Sequence, residues 1–227
     1  MTSKNYKLSP SDFAFLWEDC KRCFYLKVAK NFPPPRSIMA KIFTIIDGEM
    51  RAYFNGKRLE KIIPGFKPGI VEHGEKWVQS KPISIPNQES TCYVKGKLDT
   101  VVKFDDGTYG VIDFKTSQRK SEHIPLYARQ LHAYAHALEN PAPGQFSAGP
   151  ISKIGLLVYE PSKFSVDKVD SANLAGGLTW IEIPRNDKKF FDFLKDVMSV
   201  IDSPNAPGGT PSCKLCQYRD TSRRTGL

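Results

Sequence analysis

The chain has 227 residues, of which 40% are hydrophobic and 25% charged, which is enough apolar material for one substantial core. Its formal charge of +9 and pI near 9.2 favour a polyanionic partner. A run of about 18 apolar residues is absent, which excludes a membrane-spanning helix, and the opening MTSKNYKLSP lacks the apolar centre of a signal peptide, so a cytoplasmic protein without a membrane partner is expected.

In chain order, residues 9–30 predict a first helix, with Ser9 as N-cap, Pro10 at the first helical position and Asp12 as the capping-box acid. Phe13, Leu16, Trp17 and Phe24 give it an apolar stripe, and Cys20 and Cys23, three apart, share one face. Three consecutive prolines make 32–36 a stiff extended connector. Residues 37–55 predict a second helix despite Gly48. His73 falls in a predicted loop, and 76–85 predict a strand whose prolines place it at a sheet edge.

The segment 95–116, KGKLDTVVKFDDGTYGVIDFKT, predicts two strands joined at Asp105-Asp106-Gly107. If those three residues form the loop with Gly107 left-handed, Phe104 faces Thr108 and Asp99 lies opposite Asp113. Side chains alternate, so Asp113 and Lys115 share a face while Ile112 and Phe114 point the other way. A two-residue loop would shift the register and put Asp99 on the face of Phe114. Two carboxylates and an ammonium together have two readings. One is a solvated sheet face. The other is a divalent-metal site, with Asp99, Asp113 and the Phe114 carbonyl as hard oxygen ligands for Mg²⁺ or Mn²⁺. Lys115 would then orient or help deprotonate a water, or offset charge on a phosphoryl group.

Residues 117–121, SQRKS, form a basic loop beside these groups, placed either to contact phosphates or simply to be wet. Residues 125–140 predict a helix ended by Asn140-Pro141, with Gln130 and Tyr134 on one face. A Pro/Gly loop at 140–150 precedes a central strand at 153–160, a second loop at 161–177 and a strand at 178–183. Residues 188–201 predict an amphipathic helix with Phe190, Phe191, Leu194, Val197, Met198 and Ile201 toward the core. A Pro/Gly-rich linker leads to Cys213 and Cys216 and a basic tail, Arg219, Arg223 and Arg224, poised to touch a DNA backbone or to fray. Cys92, alone in a strand, reads as a small buried hydrophobe. The other four cysteines form two C-x2-C pairs, which in a cytosolic chain point to metal ligands; Zn²⁺ and a [4Fe-4S] cluster both fit the count.

Taken together, G-K-L-D (96–99), I-D-F-K-T (112–116) and Q-L-H-A-Y (130–134) resemble the PD-(D/E)XK nuclease superfamily, which carries G-x-x-D, (D/E)-x-K and Q-x-x-x-Y in this order. LSPSDFAFLWEDCKRCFYL (8–26) is similar to the N-terminal signature of its RecB-type branch, which includes CRISPR-associated exonucleases with a cysteine-bound cluster. The resemblance implies an α/β fold, a restriction-endonuclease-like central mixed sheet flanked by helices, as one domain over 1–227 with its core at 37–203. The segments 9–30 and 204–227 would be joined by a cysteine-bound metal staple. It implies catalytic roles for Asp99, Asp113, Lys115, Gln130 and Tyr134. A further metal ligand is implied, with Asp47 in the second helix as the nearest match, Glu49 as the alternative if the alignment slides, and His73 in the predicted loop as the other imidazole candidate. It favours [4Fe-4S] over Zn²⁺ on Cys20, Cys23, Cys213 and Cys216, although the third C-terminal cysteine of the branch falls on Ser222 and Cys23 supplies the fourth thiolate instead. The implied activity is metal-dependent DNA hydrolysis, exonucleolytic on single strands or ends. DNA would be bound mainly through its phosphates, with helicase or CRISPR adaptation proteins as candidate partners. The competing expectation is an inactive nucleic-acid-binding or assembly module that keeps the fold.

Overall fold

The computed structural model describes residues 4–35, 39–117 and 123–226. Residues 118–121 of the basic loop and 37–38 of the second predicted helix lie outside the described residues. β1 (Asn5–Leu8) leads into a helical segment divided into α1 (Pro10–Ala14), α2 (Leu16–Asp19) and α3 (Lys21–Ala29). α4 (Lys41–Phe54) precedes β2 (Gly69–His73), β3 (Lys76–Gln79) and β4 (Ile83–Ser84). β5 (Thr91–Leu98), β6 (Thr100–Phe104) and β7 (Tyr109–Thr116) are followed by α5 (Ile124–Glu139). A long hairpin, β8 (Ile151–Lys168) and β9 (Ser171–Ile183), then leads to α6 (Asp187–Ile201) and α7 (Lys214–Thr225).

The β6–β7 turn has the predicted three-residue form. Phe104 N–H donates to Thr108 O at 2.8 Å, Gly107 N–H donates to Phe104 O at 3.0 Å, and Gly107 has φ +83°. The ladder pairs Thr100 with Ile112 and Val101 with Val111, so one step further Asp99 stands opposite Asp113.

The fold is mixed α/β, and its strands are shared between two mixed sheets flanked by helices. In one, β5 pairs in parallel with β1 and antiparallel with β3 and β4; the other runs β2-β6-β7-β8-β9, with β7 and β8 parallel. Asp99 is the bend at which the chain leaves the first sheet and enters the second.

Alternation along the second sheet buries both its faces. Val101, Val111, Ile154 and Leu156 join Leu131 and Leu138 of α5 and Leu194 and Met198 of α6. Val102, Phe104, Ile112 and Phe114 instead join Met50 and Phe54 of α4, with the Phe54 and Phe114 rings stacked at 5.7 Å. Cys92 is fully buried in the first cluster, as expected, and burial pushes its thiol up to about 12.

Several expectations are corrected. The helix over 9–30 is interrupted at Phe15 and Cys20, the latter extended with φ −165°. Asp12 does not close a capping box; its Oδ1 accepts from the Lys27 ammonium at 2.7 Å, tying α1 to α3. β1 escaped the sequence because four residues carry too little alternation to read. His73 ends β2 rather than lying in a loop. The strand at 76–85 divides into β3 and β4 around Lys81-Pro82, and β3 lies at a sheet edge, as expected of the segment. Residues 161–177 belong to the β8–β9 ribbon. Pro161 and the Gly176-Gly177 pair read as breakers, but Pro161 sits at a register shift where a missing N–H is tolerated. Phe191, one residue off the apolar stripe of α6, is 37% exposed and not in the core. The C-terminal arginines Arg219, Arg223 and Arg224 belong to α7. No helix among the described residues is long and apolar enough to cross a membrane.

Gly96 marks where α1, β5 and α5 meet. A Cβ there would stand 2.8 Å from Pro10 Cδ and 3.2 Å from Tyr134 Cε1, both ring atoms with little freedom to retreat. Gly96→Ala is therefore expected to lower stability by about 1–3 kcal/mol, read as a fall in Tm; an unchanged melting curve would refute this account of the glycine.

Candidate active site

Asp113 is carried by a central strand and covered by α5, and it is 4% exposed. Its Oδ1 accepts a hydrogen bond from Gln130 Nε2 at 3.1 Å, and its Oδ2 pairs with the Lys115 ammonium. That ammonium lies 5.1 Å from the centre of the Tyr127 ring. Across the ladder, Asp99 Oδ2 accepts from the Phe114 N–H at 3.0 Å, and its Oδ1 is 3.6 Å from Arg51 Nη1. Arg51 also reaches Asp47 Oδ2 at 2.6 Å and Glu75 Oε1 at 3.6 Å. Tyr134 Oη donates to the Lys97 carbonyl at 2.7 Å, fastening α5 to the strand that ends at Asp99. Gln130 Oε1 is buried with no hydrogen-bond partner among the described residues.

An open cleft of about 1000 Å³ collects these groups. Asp47, Asp99, Asp113, Lys115, Gln130 and Tyr134 all line it. Phe114 does too, and because its ring is stacked on Phe54, its backbone is what remains to face the cleft. Glu49 is exposed and outside the cleft. His73 packs edge-on against Phe146 at 4.8 Å and is likewise outside it. Of the three alternatives for the N-terminal position, only Asp47 is brought to the others.

Other residues at or beside the cleft were not singled out from sequence. Arg51 could have been noticed, since it lies four residues after Asp47 on a helix. Trp77, 59% exposed, lines the cleft together with Phe43, Lys7 and Lys95. Its signal was the alternation in β3, where Val78 takes the buried face.

Burial and the neighbouring Asp113 carboxylate raise the Asp99 pKa to about 7, against the pull of Lys115. Burial also raises Asp47, partly offset by Arg51 and Lys115. Lys115 loses solvation, but the Asp113 and Asp99 carboxylates outweigh that loss and hold its pKa above the ordinary lysine value. Burial and the same carboxylates push Tyr134 up. The donor set suits a hard divalent ion. Mg²⁺ takes one or two carboxylates and completes its shell with water and substrate phosphate, so two facing aspartates need no closed cage.

A second centre lies at the opposite end of the helical segment. Cys20, Cys23, Cys213 and Cys216 are free thiols whose Sγ atoms all lie within 4.8 Å of one another. Burial opposes ionisation of Cys20, yet the backbone N–H groups of Thr210 and Cys23 and the adjoining thiols hold its pKa down to about 6. Burial and the crowding of thiols push Cys23 up. Cys216 rises to about 11, chiefly through burial.

Residues 43–221 match the sequence profile of the PD-(D/E)XK nuclease superfamily. No curated protein matches the chain. Among solved structures, one titled "Crystal structure of SSO0001" is similar at 16% identity and a TM-score of 0.43, over 87% of this chain and 78% of that one.

The raised pKa of Asp99 has a thermodynamic consequence. The folded state keeps a proton up to about pH 7 that the unfolded chain releases near 3.8, so the contribution of Asp99 to stability is lost as pH rises through 7. In metal-free protein, Asp99→Asn is expected to raise Tm by a few degrees at pH 8 and progressively less toward pH 5. Equal melting temperatures at both pH values would count against it.

Proposed function

We propose that this chain, which belongs to the PD-(D/E)XK nuclease superfamily, is a divalent-metal-dependent deoxyribonuclease that cuts single-stranded DNA or DNA ends at the cleft containing Asp99 and Asp113. The observation that carries this reading is the buried Asp113 carboxylate paired with the half-buried Lys115 ammonium at the wall of an open cleft. A solvated sheet face would leave both groups wet, and a purely structural ion pair would have no need of an adjoining cavity or of a second carboxylate in register.

Asp99, Asp113 and the Phe114 carbonyl would hold Mg²⁺ or Mn²⁺, with Asp47 on the facing helix. The ion, when bound, polarises the phosphodiester and lowers the pKa of a coordinated water. Lys115 stays protonated because Asp113 raises its pKa, so its part is to orient that water and offset phosphoryl charge, not to remove a proton. Gln130 fixes the orientation of Asp113 and leaves Oε1 to accept a hydrogen bond from water or substrate. Tyr134 positions β5 through the Lys97 carbonyl.

The rim supports a single strand. Lys7 and Lys95 offer charge to phosphates, while Trp77 and Phe43, 59% and 45% exposed, offer faces on which unpaired bases stack.

Cleavage of end-labelled DNA with Mg²⁺ or Mn²⁺ tests the assignment. Lys115→Ala and Asp113→Asn are each expected to slow cutting by about 10²–10³-fold or more. Equal cutting by wild type and Lys115→Ala would overturn the site, and salt-sensitive binding with no cleavage would identify a non-catalytic binding module. Separately, Trp77→Ala should weaken single-stranded DNA binding by about 1–3 kcal/mol with little change for duplex, as measured by fluorescence anisotropy without divalent metal.

A further inference from the structure

We infer that Cys20, Cys23, Cys213 and Cys216 hold a single tetrahedral Zn²⁺ ion, and not an iron-sulfur cluster, as a structural staple between α3 and α7. The inference is independent of the nuclease reading. It rests first on the sulfur positions. Cys23 and Cys216 Sγ are 3.6 Å apart, Cys20 and Cys216 3.7 Å, and Cys23 and Cys213 3.8 Å. A tetrahedron of Zn–S bonds of about 2.3 Å has edges of about 3.8 Å. A four-iron cluster places each thiolate on a different iron, which spreads the sulfurs to roughly 6 Å. None of the six Sγ pairs reaches that separation, since all fall within 4.8 Å.

The backbone closes on one side of the four sulfurs. A Cβ at Gly209 would stand 2.9 Å from Cys216 Cβ and 3.1 Å from its Sγ, so the 208–209 backbone already lies against that thiol. Leu16 and Leu215 pack on the cluster. The position that the sequence resemblance assigns to a further thiolate is Ser222, and the fifth cysteine, Cys92, is fully buried in the separate main core.

The two C-x2-C pairs are also built alike. Cys20 and Cys213 are the N-cap residues of α3 and α7, and Cys23 and Cys216 occupy the first turns, so two helix N-termini converge on the thiolates. Four thiolates around one Zn²⁺ carry a net charge of two minus, which those positive helix ends offset. Arg219 lines the same cavity as Cys23 and Cys216, and its Nε is buried without a hydrogen-bond partner among the described residues. That guanidinium also lies 3.7 Å from Asp220 Oδ1, and it adds positive charge on the side of the cavity where Cys23 and Cys216 lie. With all four thiolates on the ion, no coordination position is open for a substrate, so the role is structural.

The test is the metal content of the full chain purified anaerobically from iron-replete cells, with acid-labile sulfide measured on the same sample. One zinc per chain, no labile sulfide and no broad visible charge-transfer absorption are expected. Growth with Co²⁺ should give the d–d absorption of a tetrahedral cobalt thiolate. Cys213→Ser should lose the zinc and melt earlier, while Cys92→Ala keeps one zinc per chain. Iron with stoichiometric sulfide would overturn the inference. So would a metal-free chain whose four thiols all react with a thiol reagent in the native state, or a zinc content that Cys213→Ser leaves unchanged.

Discussion

A carboxylate taken out of water costs several kcal/mol unless opposite charge and hydrogen bonds replace its hydration. Asp113, 4% exposed, therefore dictates what surrounds it. The two-residue spacing along β7 brings the Lys115 ammonium to the same face, α5 lays Gln130 over the other oxygen, and Tyr127 covers the lysine. The compensation stops short of Asp99, whose pKa rises to about 7 through burial first and the facing Asp113 carboxylate second. A wholly structural ion pair would have no such second acid. The residual unfavourable charge is the property that makes a cation welcome there, and real proteins tolerate local inconsistencies of this kind at functional sites.

The walls of the cleft come from distant parts of the chain. The N-terminal segment contributes Lys7, Ser9 and Ser11, α4 contributes Phe43 and Asp47, and the β3 edge contributes Trp77. Gly96 lets Pro10 and Tyr134 close on β5, which fixes the strand just before the bend at Asp99. At the far end of the helical segment, the four cysteines bring α3 against α7, alongside an Arg22–Asp220 ion pair at 2.9 Å. Tyr25 Oη donates to Ser203 O at 3.2 Å, a second tie between the N-terminal segment and the C-terminal region.

Local rules made the hairpin legible. Gly107 adopts the left-handed conformation that its turn requires, and a period of two then fixes every pairing as far as Asp99 and Asp113. Helix 125–140 was readable for a similar reason, since composition and the Asn140-Pro141 stop act within a few residues. The break at Cys20 was not, because the sequence around it is a sound helix by propensity and the extended residue answers to cysteines nearly two hundred positions away. The β8–β9 ribbon was hidden by Pro161 and two glycines, whose breaking tendency is overridden by pairing along most of its length.

By itself the sequence determined which residues could do chemistry and how neighbours on one strand or one helix are spaced, because strand alternation, turn type and helical period are properties of short backbone stretches. Tertiary structure alone decided that the Asp113 face is covered and not wet, that Asp47 and neither Glu49 nor His73 reaches the cleft, and that Arg51 joins Asp47 to Asp99. It also decided that the four sulfurs lie within 4.8 Å of one another. These are relations between elements, set by the packing of α4, α5 and α7, and no local propensity encodes a distance between side chains that meet only when those elements dock.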